Sequence, residues 1–353
     1  MARGGIAEAV SADGTTVVGS AGTLEPGTWR AFRWRLDTGT VEDLGIIPAG
    51  SSGRSRGTAV SADGSVIAGY CQSNPSPGTT VERAFRWTAQ TGMVELPDLP
   101  GGSLRFQANG MSGDGSVIAG WSAGDQTGPA VRWTAQTGTV PLGHPPGLPS
   151  NSSHAYAVSA DGSTIVGDVW HSGGATLEAF RWTEQTGMVV LGLAGFPGMQ
   201  TSTATAVSAD GSVIVGYATG INDDGLALQE AFRWTEETGM VLLGSLPGTL
   251  PFSQATGVSA DGSIVVGNGR GGWIWTEETG MVRMSDYLTG LGITIGPYAI
   301  YRVDGISADG TVIVGTAWDS QLFPVAWAAV IPAPASVGFA LASVSLVLAR
   351  RRR

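Results

Sequence analysis

The sequence contains no lysine, a single cysteine and three histidines, and only 14% of its 353 residues are charged. Each shortage excludes something. Phosphate binding needs a basic patch, so a chain whose cations are all arginine and whose formal net charge is −10 is a poor partner for nucleic acid. The lone Cys71 cannot form an internal disulfide, and stability must come from packing. The three histidines, His144, His154 and His171, fall short of a metal set without a further ligand. The turn Asn222-Asp223-Asp224 reads as solvated acid rather than a calcium loop. No cofactor motif is present. Before residue 330 there is no long apolar pattern of period 3.6, which excludes helical repeats. A signal peptide is also missing: Met1-Ala2-Arg3-Gly4-Gly5 leads directly into the first apolar run.

What the chain does have is repetition. Ser-Ala-Asp-Gly, or Ser-Gly-Asp-Gly in one copy, begins at Ser11, Ser61, Ser112, Ser159, Ser208, Ser259 and Ser307, a period near fifty residues. A short strand precedes each copy, and its penultimate residue is always tiny: Ala9, Ala59, Gly110, Ala157, Ala206, Gly257, Gly305. The Asp-Gly pair suits a tight hairpin, because glycine enters positive φ without a Cβ clash. An unbroken Val/Ile run follows, the mark of a strand buried on both faces, and it is expected to close on Gly19, Gly69, Gly120, Gly167, Gly216, Gly267 or Gly315. A third strand reads Ala-Phe-Arg-Trp in four copies. Alternation puts Phe and Trp on one face and Arg on the other. Trp34, Trp87, Trp133, Trp182, Trp234, Trp275 and Trp327 fill the Trp column, and Arg33, Arg86, Arg132, Arg181 and Arg233 are expected to pair with acids on adjacent strands or blades. A Thr-Gly turn leads to a fourth strand, which the seventh copy lacks.

Four antiparallel strands repeated seven times predict an all-β fold, a seven-bladed β-propeller over residues 1–331 with an incomplete last blade. A β-solenoid is the rival, although its rungs are usually half this length. Alternation of the connections puts the tight turns on one face of the disc and the long, variable loops on the other, where binding usually resides.

The repeat is similar to the extracellular HAF-repeat family, whose unit reads like Ala-Val-Ser-Ala-Asp-Gly-Ser-Val-Ile-Val-Gly, then Ala-Phe-Arg-Trp-Thr and Thr-Gly-Met-Val. The resemblance covers about residues 6–331 and implies a secreted or surface-displayed bacterial product. It assigns no activity. Residues 332–353 resemble a PEP-CTERM sorting signal: Pro332-Ala333-Pro334 stands where that family has Pro-Glu-Pro, an uncharged run from Val337 to Ala349 follows, and Arg350, Arg351, Arg352 and Arg353 close the chain. The resemblance implies an exosortase-like processing enzyme as partner and transient insertion in the inner membrane. As a helix the run spans only about 20 Å, short of about 30 Å of hydrocarbon, with the arginines holding its end in the cytoplasm. The alternative is a basic amphipathic helix lying on the propeller.

Two motifs match in letters only. Gly120-Trp121-Ser122-Ala123-Gly124 has the hydrolase-elbow spacing without its strand-turn-helix setting. Gly267-Asn268-Gly269-Arg270-Gly271-Gly272 lacks the helix that would hold a pyrophosphate. One hint remains: Tyr70, Trp121 and Tyr217 follow the second-strand glycine, with Trp170 and Trp318 two positions further on, and flat aromatic faces stack on sugars and peptides. No pocket gathering acids, histidine and tyrosine is visible in the repeats. The expectation is an exported, non-enzymatic surface or biofilm-matrix module with a glycan or surface-protein ligand; the alternative is a glycan-processing hydrolase or lyase on the same scaffold. Because copy seven lacks a fourth strand, a strand upstream of Met1, preceded by a signal peptide, is expected to complete that blade.

Overall fold

The computed structural model describes residues 4–331, apart from 24–27, 48–52, 77–78, 101–104, 123–127, 149, 172–175, 194–197, 223, 249 and 294–295, together with the strand Leu346–Leu348. Seven four-stranded antiparallel sheets, each strand paired with its neighbour in sequence, form the blades of a propeller. Blade five is representative: Met199–Val207, Val213–Ile221, Ala227–Thr235 and Gly239–Gly244. First strands touch first strands all round the molecule and so line the axis. A seven-residue helix, Met284–Gly290, buries Met284 and Leu288 in the connection from blade six to blade seven.

The Ser-x-Asp-Gly turn is built by its own side chains. The serine hydroxyl donates to the aspartate carboxylate at 2.5–2.7 Å. It also accepts the amide five residues on, while that carboxylate accepts the amide two residues past itself, as in Ser208, Asp210, Ser212 and Val213. The glycine sits at φ of +69° to +76° in all seven copies. These turns then join one another. Ala62 donates its amide to Gly113 O, Gly113 to Ala160 O, Ala160 to Ala209 O, Ala209 to Ala260 O, Ala260 to Ala308 O, Ala308 to Ala12 O, and Asp13 closes the circle on Ala62 O, all at 2.7–3.2 Å. Seven equivalent turns therefore form one hydrogen-bonded ring around the axis.

Blades clamp one another further out. Arg33 lies 4.8 Å over the Trp87 ring of the next blade while pairing with Glu42 of its own outer strand at 2.8 Å. Arg132 likewise lies 4.9 Å over Trp182 of the next blade, but the acid it meets, Glu184 at 3.5 Å, belongs to that next blade too. Arg86 and Arg233 donate instead to Gly115 O and Gly262 O in the next blade's turn. A hydroxyl the repeat pattern did not single out does similar work: Ser55, Ser153, Ser202 and Ser253 accept the amide of Ala31, Ala130, Ala179 and Ala231 from the preceding blade.

Three expectations are corrected. The second strand does not end at its glycine but runs on, to Ser76 in blade two and Ile221 in blade five. In blade seven Gly315 pairs with Trp327, as Gly216 pairs with Phe232, so Trp327 occupies the Phe position and Ala329 the Trp position. The letter match was two residues out, because that hairpin is longer than its letters suggest. Finally, the expected C-terminal apolar helix is not seen. Pro332, Ala333, Pro334 and Arg350 to Arg353 lie outside the described residues, and the one described piece of the apolar run, Leu346–Leu348, is a strand that pairs with Trp327, Ala328 and Ala329. It fills the fourth place in blade seven, where an upstream strand was expected. Among the described residues no helix is long and apolar enough to cross a membrane.

Candidate functional site at the propeller axis

Every first strand carries a β-bulge at the same place. The register slips across Glu8, Thr58, Asn109, Tyr156, Thr205, Thr256 and Asp304, each the residue before the tiny one. The bulge presses the preceding carbonyl onto the second strand and explains the glycine there. A Cβ on Gly19, Gly69, Gly120, Gly167, Gly216, Gly267 or Gly315 would lie 1.8–2.2 Å from the oxygen of Ile6, Arg56, Gln107, His154, Thr203, Gln254 or Arg302. Bulges re-aim side chains, and this one aims seven of them from the axis-lining strands.

Four of the seven use that aim to join blades. Thr58, Thr205 and Thr256 donate their hydroxyls, and Asn109 its amide, to the first-strand carbonyls of Ala108, Ala255, Val303 and Ala155 in the next blade at 2.7–2.9 Å. Glu8, Tyr156 and Asp304 do otherwise. Around them the repeat symmetry breaks, and titratable groups collect.

The first cluster spans blades three to five. His154 Nδ1 lies 2.9 Å from Asp168 Oδ1, and Asp168, buried in the second strand, also accepts from Thr203 at 3.3 Å. Trp121 meets the His154 ring edge-on at 5.0 Å, and Tyr156 lies at 6.2 Å on the same ring. Burial pushes the Tyr156 phenol far above its ordinary range, and the Asp168 carboxylate and Tyr217 push it the same way. A hydrogen bond to the carboxylate keeps this phenol protonated.

The second cluster spans the seam between blades seven, one and two. Arg56 pairs with Glu8 at 2.6 Å, and Arg302 with Asp304 at 2.9 Å. The Asp304 side chain is buried, and desolvation raises its pKa to about 7, with Arg302 opposing the shift and Glu8 adding to it. Thr316 donates to its other oxygen at 3.3 Å. For Arg56, burial opposes the charge, but Glu8 and the Tyr70 hydroxyl beside it hold the guanidinium firmly protonated.

The aromatic residues singled out from sequence divide between two places. Trp121 and Tyr217 join the first cluster and Tyr70 the second. Trp170 and Trp318 do not: they stand two residues further along the same sheet face, about 7 Å nearer the loop end. There Trp170 is exposed over 40% of its surface and Trp318 packs on Tyr301 at 5.2 Å. The repeat pattern names His154 only as one of three histidines and does not join it to Asp168 or Tyr156, because none of these residues recurs at its position in the other blades. The column before the tiny residue carried a signal, since Glu, Tyr and Asp interrupt a run of Thr and Asn. The histidines do not assemble: His171 faces Glu178 at 3.5 Å, and His144 is exposed on another loop. Among the described residues, no three His, Cys, Asp or Glu side chains form a metal-binding group.

No family model matches the chain, and no curated protein does. Solved structures do. Oligogalacturonate lyase from Vibrio parahaemolyticus aligns with a TM-score of 0.56 at 13% identity over 93% of this chain and 91% of that one. Oligogalacturonate lyase in complex with manganese aligns at 0.55 and 16%, over 92% and 88%. The β-propeller domain of the Trilobed protease from Pyrococcus furiosus, described as an open velcro topology, aligns at 0.55 and 12%, over 91% and 93%. TolB from Acinetobacter baumannii reaches 0.49 at 14%, and the chain spans only 63% of its length. At these identities the likeness is one of fold. It nevertheless corrects the expectation of a non-enzymatic module: this propeller architecture carries an enzyme in the lyases. His154, Tyr156 and Asp168 do gather, contrary to the expectation that acids, histidine and tyrosine stay apart.

Proposed function

We propose that the axial ring is a polysaccharide site that cleaves its substrate by acid–base chemistry at His154, Tyr156 and Asp168. The observation that carries this reading is the break in symmetry: four of seven bulge residues link blades, while Tyr156 instead joins a His–Asp pair walled by Trp121 and Tyr217. Asp168 orients His154 through Nδ1, which leaves Nε2 to exchange a proton with a ligand. Tyr156, held in its protonated form, cannot serve as the base, which leaves it the donor's role. Trp121, Tyr70 and Tyr217 offer flat faces to sugar rings.

The fold's occurrence in oligogalacturonate lyases makes a uronate polymer the first substrate to try. In an elimination, His154 Nε2 takes the proton next to the uronate carboxylate, the adjacent C–O bond breaks as a C=C bond forms, and Tyr156 protonates the departing oxygen. Export to the cell surface, with the tail as an exosortase-read signal, belongs to the same proposal and rests on the sequence pattern of residues 332–353.

The test is ultraviolet absorbance of new unsaturated ends on polygalacturonate and other uronate polymers. His154→Ala and Tyr156→Phe should each lower the rate by about 10²–10⁴-fold, the usual worth of a general acid or base, with Trp318→Ala near wild type. No unsaturated or reducing ends from any polymer, with no binding, would overturn the reading.

A further inference from the structure

Blade seven obtains its outer strand in a way no other blade does. Blades one to six reach theirs through a short Thr-Gly hairpin, as where Thr235 pairs with Gly239. In blade seven the third strand ends at Val330, residues 332–345 intervene, and Leu346–Leu348 return to pair with it at Ala329, Ala328 and Trp327. Three residue pairs are a slight hold. The strand they cover is apolar on both sides: Val325, Ala326, Trp327, Ala328 and Ala329 are all buried. Without its partner this strand would present a row of unpaired amides and carbonyls, the template on which another chain adds a strand.

We propose that the outer place in blade seven is an exchange site, filled within one molecule by Leu346–Leu348 and between molecules by the same segment of a second copy. Extended, residues 332–345 reach about 45 Å, which is enough to cross to a neighbour. Both occupants make the same backbone bonds, so the choice depends on local concentration. A tether of this length holds its own strand at an effective concentration in the millimolar range, and crowding of many copies shifts the balance toward exchange. The inference is independent of the axial chemistry and concerns the chain before any processing of its tail, while Leu346–Leu348 are still attached.

Cysteine trapping on the full-length chain tests it. Paired antiparallel residues lie within disulfide reach, and wild-type protein with its buried Cys71 gives the baseline. The double variant Ala328→Cys with Val347→Cys should close an intramolecular disulfide under mild oxidation. Mixing the two single variants should give a cross-linked heterodimer whose fraction rises several-fold between about 10 and 300 µM. Failure of the double variant to close would overturn the pairing. Closure without heterodimer at any concentration would overturn the exchange. Ala329→Cys with Leu346→Cys repeats both readouts if position 328 impairs folding.

Discussion

Ala308 donates its backbone amide to the carbonyl of Ala12 at 3.2 Å, and that bond joins the last blade to the first. Blade one is built from residues of repeat one alone, so among the described residues no shared strand laces the ring. Closure depends on the turn circle, on packing of Val17, Phe32 and Trp34 against Val312, Val314, Ala326 and Ala328, and on the polar seam of Glu8 and Asp304.

The turn circle can be strained from one position. Gly211 has a φ of +75°, and a Cβ there would meet the Thr164 hydroxyl of the preceding blade at 2.4 Å. Gly211→Val should cost about 2–4 kcal/mol, from forced positive φ and from displacing a neighbour. An unchanged midpoint in denaturant unfolding would contradict the turn geometry.

Gly216→Ala tests the bulge. Its new methyl would stand 1.9 Å from Thr203 O, and only loss of the bulge can relieve that. Destabilisation of about 3 kcal/mol or more is expected, with cluster groups displaced. A crystal structure of the variant with Thr205 still bonded to Ala255 O would count against the argument.

Trp182→Ala should cost about 3–5 kcal/mol by chemical denaturation, because it empties a large, nearly buried site and strips Arg132 of its aromatic partner. A loss under about 1 kcal/mol would mean the inter-blade contact is not part of the core.

Stability should peak in mildly acidic solution. Asp63 is held down to about 2 by the Ser61 hydroxyl and by Ser65, and Asp210 to about 2 by the Ser212 amide and hydroxyl and by Ser208. Their contribution is full above the ordinary aspartate pKa of about 3.9 and is lost as pH falls toward 2. Asp304 acts in the opposite sense. Its folded pKa of about 7 exceeds the unfolded value, so the folded state binds the extra proton and stability declines as pH rises from about 4 to 7. The decline is at most about 4 kcal/mol. Asp304→Asn should flatten the neutral limb and leave the acid limb unchanged; melting curves from pH 2 to 8 that show no such difference would refute the assignment.

For the tail, processing at the sorting signal predicts a mature surface protein lacking residues from about Pro334 onward. Its intact mass is the measurement. Retention of Arg350 to Arg353 on the exported form would refute processing.

The sequence by itself determined the architecture. Asp-Gly at fixed spacing specifies a hairpin, Val/Ile runs specify buried strands, and alternation of Phe, Arg and Trp assigns faces, all of them local rules with short periods. Repetition multiplied a weak local signal seven times. It also pointed to Trp121, Tyr217 and Tyr70, although not to their separate surroundings. Tertiary structure alone decided what repetition averages away. The first-strand bulge appears only when two strands are paired, and it alone explains why a mid-strand glycine is required. Tyr156, His154 and Asp168 meet within blade four, where pairing sets His154 opposite Asp168 and the bulge falls on Tyr156; closing the ring then adds Trp121, Thr203 and Tyr217 from the blades on either side. Leu346–Leu348 became a strand because the open edge of Pro324–Val330 offered backbone partners to a segment that local pattern alone read as helix.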